Sequence, residues 1–238
     1  MKTQRPLSFR PLFLLTTLLT LLLLLHQPIT THSLIDPTTF STASPAQATS
    51  NTPTTTTYPT QNDTEFIRKS CASTRYPDLC FHSLSGYASA VQQNPSKLAR
   101  VAIAVSLSKA RHAAAYFSNL SKEADYGADR RVAAALHDCF STFGDAVDQL
   151  RDSLNQMRHL VPAGSGETFR FQMSNVQTWM SAAMTNEDTC TDGFDGVPEG
   201  PMKKDVFDRV GKVEGVTSNA LALVNGFAAA TATTNSFP

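Results

Sequence analysis

Four polar side chains, Ser141, Asp145, Asp148 and Asp152, follow one another at intervals of 4, 3 and 4 residues. That rhythm puts side chains along one side of a helix. Two carboxylates so placed can divide general-acid and general-base roles, provided that a cleft raises the pKa of one of them. This stripe is offset from the apolar stripe of the same helix, so it faces outward on a convex surface that supplies no cleft. The pattern therefore reads as a solvated face or a partner-binding face rather than as a catalytic pair. A second polar group, Glu187, Asp188, Thr189, Asp192 and Asp195, surrounds Cys190. A bond between Cys139 and Cys190 would set this group beside the first turns of the stripe, making one acidic recognition surface from two helices.

Other catalytic patterns are missing. The chain has six histidines, His26, His32, His82, His112, His137 and His159, and no H-E-x-x-H, G-x-S-x-G or cysteine–histidine signature. His112 falls on the apolar face of its helix and reads as a core histidine. Neither G-x-x-x-x-G-K-[ST] nor G-x-G-x-x-G occurs, which disfavours a phosphate-binding enzyme. The cysteines Cys71, Cys80, Cys139 and Cys190 include no CxxC pair and lack zinc-site spacing. No catalytic residue, metal or cofactor is expected.

The chain carries 20 basic and 20 acidic residues, a balance unlike that of nucleic-acid binders. Lys2, Arg5 and Arg10 precede an apolar run from Leu12 to Leu25 that stops at His26-Gln27-Pro28. A positive start and a run this short mark residues 1–32 as a secretory signal rather than a membrane anchor, and no stable membrane association is expected once it is removed. Residues 33–63 are rich in Thr, Ser and Pro and poor in apolar surface, so they should be disordered. On this route the asparagines of the sequons Asn62-Asp63-Thr64 and Asn119-Leu120-Ser121 would be open to glycosylation. Secretion also makes disulfides the natural state of the four cysteines. Three pairings are possible; Cys71–Cys80 with Cys139–Cys190 is preferred because it threads nothing between hairpin and core.

The elements that must position these groups are helical. Two short helices around Cys71 and Cys80, broken at Tyr76-Pro77, form a hairpin. Asn94-Pro95 opens a long helix with Leu98, Val101, Val105, His112 and Tyr116 near helical period. In the next, Val132, Leu136, Cys139, Phe143, Ala146, Leu150, Leu154 and Met157 step by 4 and 3, a bundle-facing stripe. A third spans about Phe171–Cys190, with Met173, Val176, Met180 and Ala183 inward. The last follows the loop Gly193–Pro201 and repeats the rhythm through Val206, Val210, Val213, Thr217, Ala220 and Val224. The expected fold is all-α: an up-and-down antiparallel four-helix bundle over residues 64–228, preceded by a helical hairpin, with a flexible tail at 229–238. Gly211 and Gly215 form a G-x-x-x-G pair that, among so many charges, reads as close packing between soluble helices.

Several stretches resemble one family. The segment from Phe66 through Ser70-Cys71 to Tyr76-Pro77-Asp78-Leu79-Cys80 is similar to the opening of plant pectin methylesterase inhibitors. So are Asp138-Cys139 with Asp145-Ala146-Val147-Asp148, the run Val176–Thr185 continuing to Thr189-Cys190-Thr191-Asp192-Gly193-Phe194, and Thr217–Leu223. The resemblance implies the fold and disulfides just described, and a non-enzymatic role. It implies one-to-one binding to pectin methylesterase over the cleft where methyl esters of homogalacturonan are hydrolysed, in the apoplast or cell wall. The matching contact positions are Asp145, Asp148, Thr189 and Asp192, within the wider set that includes Ser141 and Asp152. Ser141 departs from the family, which often has an acidic residue there. Invertase inhibitors share the fold, but the Thr-Trp-Met-Ser-Ala-Ala run looks more like the methylesterase branch. The same module precedes the catalytic domain of some methylesterases, for which a chain ending at Pro238 leaves no room. A secreted helical small-molecule carrier would need a continuous apolar cavity, which alanine-rich helices disfavour.

Overall fold

The computed structural model describes residues 60–124, 129–161 and 166–234. The expected signal and residues 33–59 of the Thr-rich segment lie outside the described residues. Helix α1 (Gln61–Cys71) begins before the expected boundary at Thr64, and the reason is a capping box. Asp63 donates its N–H to the Thr60 hydroxyl (3.2 Å), while the Asp63 carboxylate accepts the Thr60 N–H (3.0 Å). Both orphan donors of the first turn are thus satisfied locally. Bonds from the Thr60 side chain, the Thr60 backbone and the Gln93 amide hold the Asp63 carboxyl below its ordinary pKa.

Helix α2 (Pro77–Leu84) completes the hairpin, tied to α1 by Cys71–Cys80, and a 3-10 turn (Ser85–Tyr87) and the single-turn α3 (Ala88–Val91) follow. Four long helices come next: α4 (Pro95–Ala124), α5 (Arg130–Arg158), α6 (Gly166–Asp192) and α7 (Pro201–Thr234). Pro95 occupies the first turn of α4, where a missing N–H costs nothing, and Asn94 caps it by accepting from the Lys97 N–H (3.0 Å). Asp129 caps α5 through the N–H groups of Arg131 and Val132. Helix α7 continues through the expected tail to Thr234. Ala228, Ala229 and Ala230 supply high helix propensity there, and the Thr231 hydroxyl bonds back to the Phe227 carbonyl (2.9 Å).

Each long helix packs along its two neighbours in the order α4, α5, α6, α7, and α7 closes the square against α4. Among the described residues there is no strand. The stripe expected on α5 is buried from Leu136 to Met157, with Val132 half-buried at its start. Phe143 meets Phe117 of α4 edge-on at 4.9 Å between ring centroids, a preferred aromatic geometry. Helix α6 starts a turn earlier than expected because Phe169 is buried against Phe227 of α7.

On α4, Leu98 and Val105 are buried and Val101 half-buried as expected, but the rest of the inward face differs. Ala99, Ala102, Ala110, Ala113 and Phe117 point inward, whereas His112 is exposed and Tyr116 only half-buried. His112 is therefore no core histidine. Alanines contribute little to an apolar stripe in sequence, yet they let α4 approach its neighbours closely. Tyr116 instead donates its hydroxyl to Asp205 of α7 and lies under Arg209, 3.9 Å from its ring.

The hairpin docks on α7 at two points. Asn219 accepts the Tyr76 N–H (3.0 Å) and donates to the Tyr76 carbonyl (2.9 Å), satisfying both backbone groups at the break before α2. One turn earlier, a Cβ added to Gly215 would lie 2.9 Å from Leu79 and 3.6 Å from the Tyr76 ring, whereas Gly211 has open space. Of the pair, only Gly215 lies at a close approach between helices.

Candidate functional site

The acidic stripe emerges as its spacing implies. Ser141, Asp145, Asp148 and Asp152 are all exposed on α5, on the side away from the buried Cys139–Phe143–Leu150 row. Asp148 pairs with Arg151 within the same helix. At 1.5 Å per residue, Asp148 and Asp152 stand about 14 and 20 Å along α5 from Cys139.

Thr189 and Asp192 are exposed at the far end of α6, where the Thr189 hydroxyl donates to the Thr185 carbonyl (2.7 Å). The Cys139–Cys190 disulfide joins the two helices, with Cα atoms 4.2 Å apart. Ser141 lies two residues beyond one end of this bond, and Thr189 and Asp192 flank the other. A second link, from the Asn186 amide to Gln149 (3.0 Å), holds α6 to α5 beside Asp148. The two helices, pinned together in this way, each carry exposed polar side chains, with Phe140, also exposed, beside Ser141. Such a surface suits recognition, in which fixed charges meet a complementary surface.

Glu187 does not belong to it. The side chain is fully buried between α6 and α7. Its Oε1 accepts the Thr217 hydroxyl at 2.9 Å, and Oε2 has no hydrogen-bond partner. Burial pushes its pKa up to about 8, with the Thr217 bond opposing and Glu214 adding to the rise. The polar run Asn186-Glu187-Asp188-Thr189 hides this position, but the spacing discloses it. Met173, Val176, Met180, Ala183, Glu187 and Cys190 step by 3, 4, 3, 4 and 3, and all are buried.

Among the described residues no group of three or more His, Cys, Asp or Glu is placed to hold a metal ion. Both sequon asparagines, Asn62 on α1 and Asn119 on α4, are exposed.

A disulfide-pinned helical bundle presenting exposed polar side chains on two joined helices belongs to the class of binding modules. The sequence profile described as plant invertase/pectin methylesterase inhibitor matches residues 65–223. The chain belongs to that family. It is 46% identical over 166 residues to a carrot (Daucus carota) "21 kDa protein", covering 69% of this chain and 84% of that one. It is 43% identical over 162 residues to pectinesterase inhibitor 3 of Arabidopsis thaliana, covering 68% and 78%. A crystal structure of a mutant form of a pectin methylesterase inhibitor from Arabidopsis shares the fold, with a TM-score of 0.51 at 19% identity over 65% of this chain and 92% of that one. The family is one of inhibitors, not enzymes.

Proposed function

We propose that this chain is a secreted inhibitor that binds a pectin methylesterase one-to-one through the outward sides of α5 and α6, covering the cleft where methyl esters of cell-wall homogalacturonan are hydrolysed. What supports the reading is the exposure of Asp145 and Asp148 on α5 and of Thr189 and Asp192 on α6, two helices joined by the Cys139–Cys190 bond, in a chain similar to named pectinesterase inhibitors. Secretion follows from the basic, apolar leader, and glycans on Asn62 and Asn119 would accompany that route. The family description also covers invertase, so a cell-wall or vacuolar invertase is the second reading.

Titration of the purified protein against a plant pectin methylesterase and, separately, an acid invertase tests both. Esterase inhibition should saturate at one equivalent. Inhibition of invertase alone would move the target to that enzyme. No inhibition of the esterase between about pH 5 and 7.5 would refute the primary reading. Asp145→Ala with Asp148→Ala should weaken inhibition about tenfold or more with helicity intact; unchanged inhibition would remove those residues from the contact.

A further inference from the structure

The formal charge of zero conceals a segregation. Helix α4 carries Lys97, Arg100, Lys109, Arg111 and Lys122 against the single acid Glu123, while α6 carries Glu167, Glu187, Asp188 and Asp192 against the single base Arg170. Three of these α4 cations, Lys97, Arg100 and Lys109, border three adjoining depressions. The first, of about 290 Å³, lies between α4 and the end of α5, with Lys97, Arg100 and Arg158 around an apolar floor of Val101, Ala104 and Leu154. The second, of about 580 Å³, shares Val101 and Ala104 with it and is walled by Tyr87 and His82 across from Lys109 and His112. The third, of about 330 Å³, shares Ser83, Lys109 and His112 with the second, and is closed by Arg209 and Lys212 over Leu79, Val213 and Val216.

Together they make one trough along the outer side of α4, about 23 Å from Lys97 to His112 at the helical rise. No carboxylate lines any of the three depressions. Arg100, Lys109, Arg158 and Lys212 form no ion pair among the described residues. Arg209 is held by Asp205 (2.8 Å), and Lys97 donates to a neutral amide, Gln92 (2.5 Å). Elsewhere α7 neutralises its cations within one turn, as Lys204 does with Asp208 (2.6 Å). Cations left unpaired along a concave, partly apolar channel repel one another and focus a positive potential into it.

We propose that this trough binds an anionic sugar chain, a de-esterified uronate polymer, while the acidic face of α5 and α6 remains free for the esterase. Sugar rings present apolar C–H faces to the floor and to Tyr87, which is 47% exposed. Their hydroxyls find Ser83 and Ser108, and a carboxylate on each ring meets the cations along the rims. A single-stranded nucleic acid would want a series of aromatic platforms for its bases; the trough offers one exposed ring. The choice of uronate over other anions rests on the proposed esterase partner, because ester hydrolysis leaves one carboxylate for each methyl group removed. The trough lies mainly on α4, α7 and the hairpin, across the square from α6, so both surfaces can be occupied together.

The test is calorimetric titration of the full secreted chain with de-esterified galacturonate oligomers long enough to span the trough. The same oligomers in fully methyl-esterified form, a sulfated dextran and a single-stranded DNA serve as comparison ligands. De-esterified oligomers should bind at least about tenfold more tightly than the esterified ones, with affinity falling as salt rises. Lys109→Glu with Lys212→Glu should cost about tenfold or more, while Lys122→Glu, outside the trough, should change nothing. Esterase inhibition, measured in parallel, should be unaffected by Lys109→Glu with Lys212→Glu, so loss of uronate binding and loss of inhibition read out separately. Absence of uronate binding, equal binding of sulfated dextran or DNA, or an equal effect of Lys122→Glu would overturn the proposal.

Discussion

Replacing Glu187 by glutamine should make the bundle's stability less dependent on pH. The carboxyl is fully buried, has one hydrogen bond, and has its pKa pushed from an ordinary 4.5 up to about 8, chiefly by desolvation. Between those two values the folded state keeps a proton that the unfolded chain has lost. Stability from this group is therefore fully present below about pH 4.5 and falls as pH rises toward 8, by about 1.4 kcal/mol per pH unit. The gross amplitude is about 5 kcal/mol, and local loosening that lets water reach Oε2 brings it nearer about 3. Glu187→Gln keeps an acceptor for the Thr217 hydroxyl and cannot ionise. Urea unfolding followed by far-ultraviolet circular dichroism should find the two proteins within about 1 kcal/mol at about pH 5. Near pH 8.5 the variant should be the more stable by about 3 kcal/mol or more. Taking the difference between the proteins removes every other titrating group. A difference that stays constant across this range would refute the reasoning.

Three further outcomes are expected. Gly215→Ala should be nearly neutral, since Leu79 can turn aside and the helix gains about 1 kcal/mol of propensity; Gly215→Val should cost about 1–3 kcal/mol by also pressing on Tyr76, measured by denaturant unfolding. Asn219→Ala removes the partner of the Tyr76 N–H, while the Tyr76 carbonyl keeps the Cys80 N–H (2.9 Å), and should cost about 1–2 kcal/mol, with faster amide exchange across α1 and α2 than across α5. Replacing Cys139 and Cys190 together by serine should cost about 4 kcal/mol, against about 2.7 for Cys71 and Cys80, because the bonds close loops of 51 and 9 residues; melting temperatures of the two double variants should rank accordingly.

Helix α5 was legible because its stripe is made of large apolar residues with polar ones between, so period and face could be read together. The Ser141–Asp152 stripe followed from the same register, and the structure leaves it exposed. Helix α4 was misjudged for a physical reason. Toward its C-terminal half the contact face is Ala110, Ala113 and Phe117, and the small hydrophobic signal of the alanines is outweighed by His112 and Tyr116, one residue away from Ala113 and Phe117 and so about 100° around the axis. The opening of α1 is hidden in the sequence because Thr60 and Asp63 look like the preceding Thr-rich tract, whereas their reciprocal bonds start a helix. Glu187 sits among polar neighbours in the sequence, but its 4 and 3 spacing places it in the core row.

By itself, the sequence determined the helices, the apolar faces of α5, α6 and α7, and the acidic stripe. Each of these depends on periods and residue types within a single element, and local backbone geometry converts them directly into a face. The packing of one helix against another decided the rest. Thr217 had to arrive opposite Glu187 before that carboxyl could be buried with a single partner. The hairpin had to dock on Gly215 and Asn219 before α2 could wall a trough, and α4 had to turn its alanines inward before its cations could line that trough. These features come from residues far apart in the chain, and their juxtaposition is set by how four apolar faces share one core.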